Sequence, residues 1–192
     1  TESPWTCRRG DGSDIQFDAP LLLKGGMIYV YGLETRPDNR YLLVARVPEK
    51  NLADFSAWRF YSNGEWVSDF SKASRLADNF GAEMSVSYQD VLKRYVVIYT
   101  EGGLSRNILM RTASSPEGPW SQPKLLYRTP EMDWDKDYFC YAAKAHAELS
   151  RRQDELIVSY VCNSHDFLKM AADTRIYRPR FLRVRFESER AP

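Results

Sequence analysis

Three stretches of this chain repeat one pattern, and that repeat limits the available folds more than any other feature. Each stretch begins with a short apolar run, crosses a polar or glycine turn, and continues into a β-branched run that ends in tyrosine. Residues 16–23 and 27–31 flank Lys24-Gly25-Gly26 in the first, 82–88 and 95–99 flank a turn in the second, and 142–149 and 156–160 flank a turn in the third. The closing tyrosines, Tyr31, Tyr99 and Tyr160, stand 68 and 61 residues apart. Run length and turn chemistry make each unit a β-hairpin. A third apolar run follows every hairpin, at 41–47, 108–113 and 181–186, and a fourth follows in the first two units, near 57–66 and 120–127. Nowhere do apolar residues recur at i, i+3, i+4 and i+7 for the length of a helix, although 52–58 could form a single turn.

Four antiparallel strands recurring at roughly 60 residues are the pattern of propeller blades. The expected fold class is therefore all-β: a β-propeller of four-stranded antiparallel blades in one domain over 1–192, with about three blades near 14–70, 80–130 and 138–188. Propellers close with ~4–8 blades, and an open arc exposes apolar faces and unpaired edges. The chain is thus expected to be the C-terminal portion of a longer ring, or to be completed by a partner chain. On that reading residues 1–13, with Trp5, form the outer edge of a preceding blade. A β-sandwich of about 12 strands is the competing architecture.

Composition narrows the function classes. Lys+Arg 27 against Asp+Glu 26 leaves a net charge of +1, without the basic excess of a nucleic-acid binder. No apolar run approaches the ~20 residues of a membrane-spanning helix. Twelve tyrosines, nine phenylalanines and five tryptophans supply flat surfaces of the kind that stack on sugars. The three cysteines form no C-x-x-C pair. Cys140 and Cys162 could meet across one hairpin, and two buried free thiols are an equal alternative. The first residues, Thr1 to Trp5, include no initiator Met, so the compartment is not legible from a leader.

Several strings carry a family resemblance in their order rather than singly. They are Ala45-Arg46-Val47-Pro48, Ala57-Trp58-Arg59-Phe60-Tyr61, Ala82-Glu83-Met84-Ser85-Val86, Ser115-Pro116-Glu117-Gly118-Pro119-Trp120, Ala145-His146-Ala147-Glu148-Leu149, Val158-Ser159-Tyr160 and Tyr177-Arg178-Pro179-Arg180-Phe181. From about Asp14 to Phe186 the chain resembles a family of secreted bacterial five-bladed β-propellers, largely uncharacterised, related to arabinan-degrading glycoside hydrolases. The resemblance implies a five-bladed ring with about two N-terminal blades outside this chain, a secreted or periplasmic location, and a carbohydrate ligand. His146-Ala147-Glu148 stands where the family has His-Pro-Glu, and the absent blades would carry part of any catalytic pair.

In a propeller the innermost strand of each blade lines the channel, and the repeat puts Asp18, Glu83 and His146 on such strands. Glycoside hydrolysis by the usual route needs two carboxyls, one protonated and one ionised. Asp18 and Glu83 are the catalytic candidates. Glu83, between Ala82 and Met84, would gain a raised pKa by burial and act as general acid; a structural hydrogen bond to neighbouring backbone is the alternative. Alternation sends Lys144, His146 and Glu148 to one strand face and Ala143, Ala145 and Ala147 to the other. Lys144, His146, Asn163 and Arg178 are the substrate-binding candidates, although Arg178 equally suits a salt bridge to an inner carboxylate. No metal site and no cofactor are expected, apart from a channel cation that His146 could hold. The acidic stretches 11–14 and 133–137 read as solvated loops. Two functions follow: a glycoside hydrolase-like propeller acting on a polysaccharide, or a non-catalytic propeller binding glycan or protein.

Overall fold

The computed structural model describes residues 6–186; residues 1–5, with Trp5, and the side chains of Thr6, Cys7, Asp18 and Ala19 lie outside that description. Among the described residues the fold is all-β, in three antiparallel sheets. The first contains β1 (Thr6–Arg8), β2 (Asp14–Lys24), β3 (Met27–Thr35), β4 (Arg40–Pro48), β5 (Arg59–Ser62) and β6 (Glu65–Val67), paired in chain order. The second is formed by β7 (Met84–Gln89), β8 (Arg94–Thr100), β9 (Asn107–Ala113) and β10 (Lys124–Arg128). The third contains β11 (Tyr138–His146), β12 (Glu155–Ser164) and β13 (Arg180–Arg185). One short helix, α1 (Phe167–Ala172), follows β12, started by the Asp166 carboxylate accepting from the Leu168 and Lys169 amides.

The turns follow their residues. Gly25 and Gly26 both have positive φ, +58° and +73°, between the paired Lys24 and Met27. Asn63 and Gly64, at 48° and 96°, do the same between Ser62 and Glu65. Two central residues with positive φ form the turn whose twist suits a two-residue hairpin. That second turn splits the fourth run of the first unit into β5 and β6. With β1 pairing onto β2 at residues 14–16, the first sheet therefore has six strands rather than four. The described part of the 1–13 stub belongs to this sheet, not to another blade. The third sheet has three strands among the described residues, one fewer than expected. The single turn expected within 52–58 is a 3₁₀ turn at Phe55–Ala57, and another lies just before it at Glu49–Asn51.

Two compact units result. Among the described residues, the first is 6–80 with Ser115–Trp120, and the second is Gly81–Ser114 with 121–186. In the first, Ile15, Phe17, Val30, Leu43, Trp58 and Phe60 build the core. In the second, Val96, Ile98, Ile108, Leu156 and Val158 pack together with Cys140 and Cys162, which form a disulfide between directly opposed residues of β11 and β12.

The threefold repeat survives at atomic level. Tyr31, Tyr99 and Tyr160 are all buried on the middle strand of their hairpins. Each hydroxyl is anchored: Tyr31 donates to the Pro116 carbonyl at 2.9 Å, Tyr99 accepts from Arg111 Nε at 2.9 Å, and Tyr160 lies 3.2 Å from both Glu131 carboxylate oxygens. A buried phenol needs such a partner.

Candidate functional site

These tyrosines give a common register for the candidate residues. Leu21 faces Val30, so counting back sets Pro20 opposite Tyr31; Met84 faces Tyr99; and Lys144 faces Ser159, which sets Ala143 opposite Tyr160. One residue earlier stand Ala19, Glu83 and Ala142. Here regular pairing breaks: β2 shifts register between Phe17 and Leu21, and β11 shifts between Tyr141 and Lys144, with Ala142 at φ 58°. Regular β7 pairing begins just after Glu83. Asp18 thus lies within the register shift of β2, a place where bulges commonly re-aim side chains, and Glu83 immediately precedes β7.

Glu83 itself is exposed and lies in the loop before β7, not on the strand. The burial expected to raise its pKa is absent, because β7 starts one residue later. The side chain of Asp18 lies outside the described residues.

β11 starts at Tyr138, four residues before the repeat pattern suggests. His146 therefore ends the strand, and Ala147 to Leu149 form a 3₁₀ turn. Alternation stops there, leaving Ala147 exposed instead of packed. The Glu148 carboxylate reaches back to His146 Nδ1 at 3.3 Å, and Ser159 Oγ contacts Nε2 at 2.7 Å. Both ring nitrogens therefore have a polar neighbour. Lys144 is exposed on the same sheet face.

Asn163 and Arg178 belong to the other end of the sheet. Asn163 faces Phe139, and its side-chain oxygen accepts from the Ser164 amide. The neighbour of Arg178, Tyr177, donates its amide to the Cys162 carbonyl. Six residues of β12 separate the level of His146 from that of Asn163, which is about 20 Å at strand rise. The four binding candidates therefore span an extended surface and do not converge on one sugar ring. Arg178 is exposed; Arg180 instead makes the ion pair with an inward carboxylate, its Nε lying 3.0 Å from Glu131 Oε1.

The centre that the structure assembles was not anticipated. Glu131, buried on the 3₁₀ turn Pro130–Asp133, sits against Tyr160, Arg180 and the disulfide. Burial and then the Glu131 charge push the Tyr160 phenol far above its usual range. Nearby, Tyr138 donates to Asp173 at 2.8 Å, Arg175 bonds the same carboxylate, and Trp134 lies under Arg175 and Arg180 at 4.9 and 5.2 Å. Arg175 holds Asp173 well below the carboxylate range. In the acidic loop, Lys169 Nζ binds Asp135 and Asp137 at 2.7 Å each, so that loop is a cross-linked element rather than a solvated one. The raised Tyr160 phenol and the lowered Asp173 carboxyl are both held away from neutrality, which suits orientation rather than proton transfer.

Glu131, Cys140 and Cys162 place their ligand atoms within 4.8 Å of one another. Because the two sulfurs bond each other, only the carboxylate remains as a donor, and the trio does not form a metal centre. At the His146 end, a cleft of about 280 Å³ opens beside the exposed Tyr88, Ala147 and Arg151 and the buried Gln89 and Glu155. Tyr88 packs edge-on against Tyr95 at 5.0 Å.

The family described as "Domain of unknown function (DUF5005)" matches residues 6–186. The chain belongs to the DUF5005 family. No curated protein matches the sequence. Among solved structures, it is similar to a candidate hydrolase from Bacteroides ovatus at 24% identity and TM-score 0.64, covering 85% of this chain and 43% of that one. It is also similar to an α-L-arabinofuranosidase from Podospora anserina, solved with cellotriose, at 14% identity and TM-score 0.53, covering 83% and 47%. This DUF5005 chain thus has a glycoside hydrolase-like β-propeller fold, and it spans less than half the length of these two structures. No helix among its described residues is long and apolar enough to cross a membrane.

Proposed function

We propose that this DUF5005 chain is part of a secreted or periplasmic bacterial propeller of five blades, a glycoside hydrolase-like protein acting on a polysaccharide. Two N-terminal blades or a partner chain complete the ring, and the three sheets of residues 1–192 are blades of one propeller domain. The observation that carries the reading is the fold shared with a candidate hydrolase and an arabinofuranosidase. The disulfide in the core of the second unit supports an oxidising compartment.

Within this chain Glu83 is the proposed proton donor and Asp18 the second carboxyl candidate, and the support is that Glu83 immediately precedes β7 while Asp18 lies within the register shift of β2. Exposure does not disqualify Glu83, because a bound saccharide would itself remove water from the carboxyl and raise its pKa. Lys144, His146, Asn163 and Arg178 are proposed contacts along an extended glycan. The two-carboxyl route supplies its own acid and base, so the reading needs no cofactor. The alternative is a non-catalytic propeller binding glycan or protein, and the locking of Glu131 by Arg180 favours it. The full-length protein, incubated with arabinans, galactans and related polysaccharides, should release soluble sugars from at least one. Binding without release from any of them would select the alternative.

A further inference from the structure

The first compact unit contains a charged cluster that this reading leaves unused. Glu34, on β3, is fully buried, and three arginines surround its carboxylate. Arg75 grips it side-on, Nη2 at 2.6 Å and Nε at 2.9 Å, while Arg9 Nη1 lies at 3.2 Å and Arg36 Nη1 at 3.5 Å. Arg36 also binds Asp11 at 2.6 Å. Three guanidiniums against two carboxylates leave the cluster with an excess positive charge. Arg9 Nε is buried with no hydrogen-bond partner among the described residues.

A cleft of about 530 Å³ opens at this cluster, bordered by Arg9, Ser62, Asn63, Lys72, Ser74 and Arg75. Lys72 adds a further cation, 3.8 Å from Asp69. Arg75 spends one edge of its guanidinium on Glu34 and lies 4.5 Å over the Tyr41 ring, with its side chain 39% exposed. A guanidinium fixed on one edge and one face loses little freedom when its remaining edge meets an anion.

We propose that this cleft binds an oxyanion carried on a saccharide, either the carboxylate of a uronic acid or a sulfate ester. The saccharide part rests on the carbohydrate reading above; the oxyanion part rests on the cluster alone. Such a group takes a bidentate contact from Arg75, a charge contact from Lys72, and hydrogen bonds from the Ser62 hydroxyl and the Asn63 side-chain amide nitrogen, the Asn63 backbone amide being engaged with Ser74 Oγ.

Calorimetric titration of the chain with glucuronate, glucose 6-sulfate and neutral glucose tests this without any turnover. Saturable binding of at least one anion, weakening with salt and absent for glucose, is the expected result, and the tighter anion names the source. Lys72→Glu, an exposed change away from Glu34, should weaken that binding about tenfold, as expected for reversing a charge a few ångströms from the ligand. Arg75→Lys keeps a charge on Glu34 but loses the planar fork, and should weaken it further. If neither anion saturates, if glucose binds as tightly, or if a folded Lys72→Glu variant binds like wild type, the proposal fails. Anion binding in a protein that cleaves no polysaccharide would keep this site while overturning the enzymatic reading.

Discussion

Replacing Glu34 by Gln keeps the shape of the side chain but removes the negative charge that three arginines share. Breaking a buried ion pair from one side typically destabilises by ~3–5 kcal/mol, because the remaining charge stays desolvated without compensation. Here the arginine side chains are 18%, 30% and 39% exposed, so water screens part of that loss. About 2–4 kcal/mol is the expected loss at pH 7. The pH dependence has a definite sign. Hydrogen bonding from Arg75, aided by the charges of Arg9 and Arg75, holds the Glu34 pKa below its ordinary 4.5 in spite of burial. Its contribution is therefore complete above about pH 4.5 and disappears as the pH falls through the lower folded value. Urea denaturation of wild type and Glu34→Gln at pH 7, 5 and 3.5 should show one constant difference at the first two and a smaller one at the third. A difference under 1 kcal/mol at pH 7, or one that grows on acidification, would refute the reasoning.

Two further stability tests are independent of that cluster. The Cys140–Cys162 bond closes a separation of 22 residues, so loop-closure entropy gives it about 3 kcal/mol; the Cys140→Ala/Cys162→Ala variant should lose that amount in denaturant titration, and no loss would place the stability of the hairpin in its packing alone. Gly32 lies where β2 and β3 come closest: an added Cβ would overlap the Gln16 carbonyl oxygen and stand 2.7 Å from Phe17 Cδ1. Gly32→Ala should therefore destabilise by at least ~2 kcal/mol, while Gly10→Ala, with open space around it, should stay within ~0.5 kcal/mol. Equal effects at the two glycines would remove the steric argument.

What the sequence made legible was short-range. The hairpins around Tyr31, Tyr99 and Tyr160, and the Gly25-Gly26 and Asn63-Gly64 turns, follow from alternation and from residues that accept positive φ. Strand limits were less accessible. The irregular step at Ala142 interrupts alternation, so β11 reads as starting there although it begins at Tyr138, and His146 moves from the middle of a strand to its end. Long-range pairing left no trace in the pattern: Lys169 meets Asp135 and Asp137 across more than thirty residues, and Arg75 meets Glu34 across 41. Glu131 was missed for the same reason. The available clue was an acidic residue between Pro130 and Met132, close to Trp134 and followed, in the next hairpin, by the repeat tyrosine.

The proposed role of Glu83 as proton donor to a glycosidic bond is tested by comparing full-length wild type with Glu83→Gln on whichever polysaccharide is cleaved. Gln preserves the shape but carries no transferable acid proton. Turnover should fall by at least ~100-fold while glycan affinity stays within a few-fold of wild type. Equal turnover by the two proteins would contradict it.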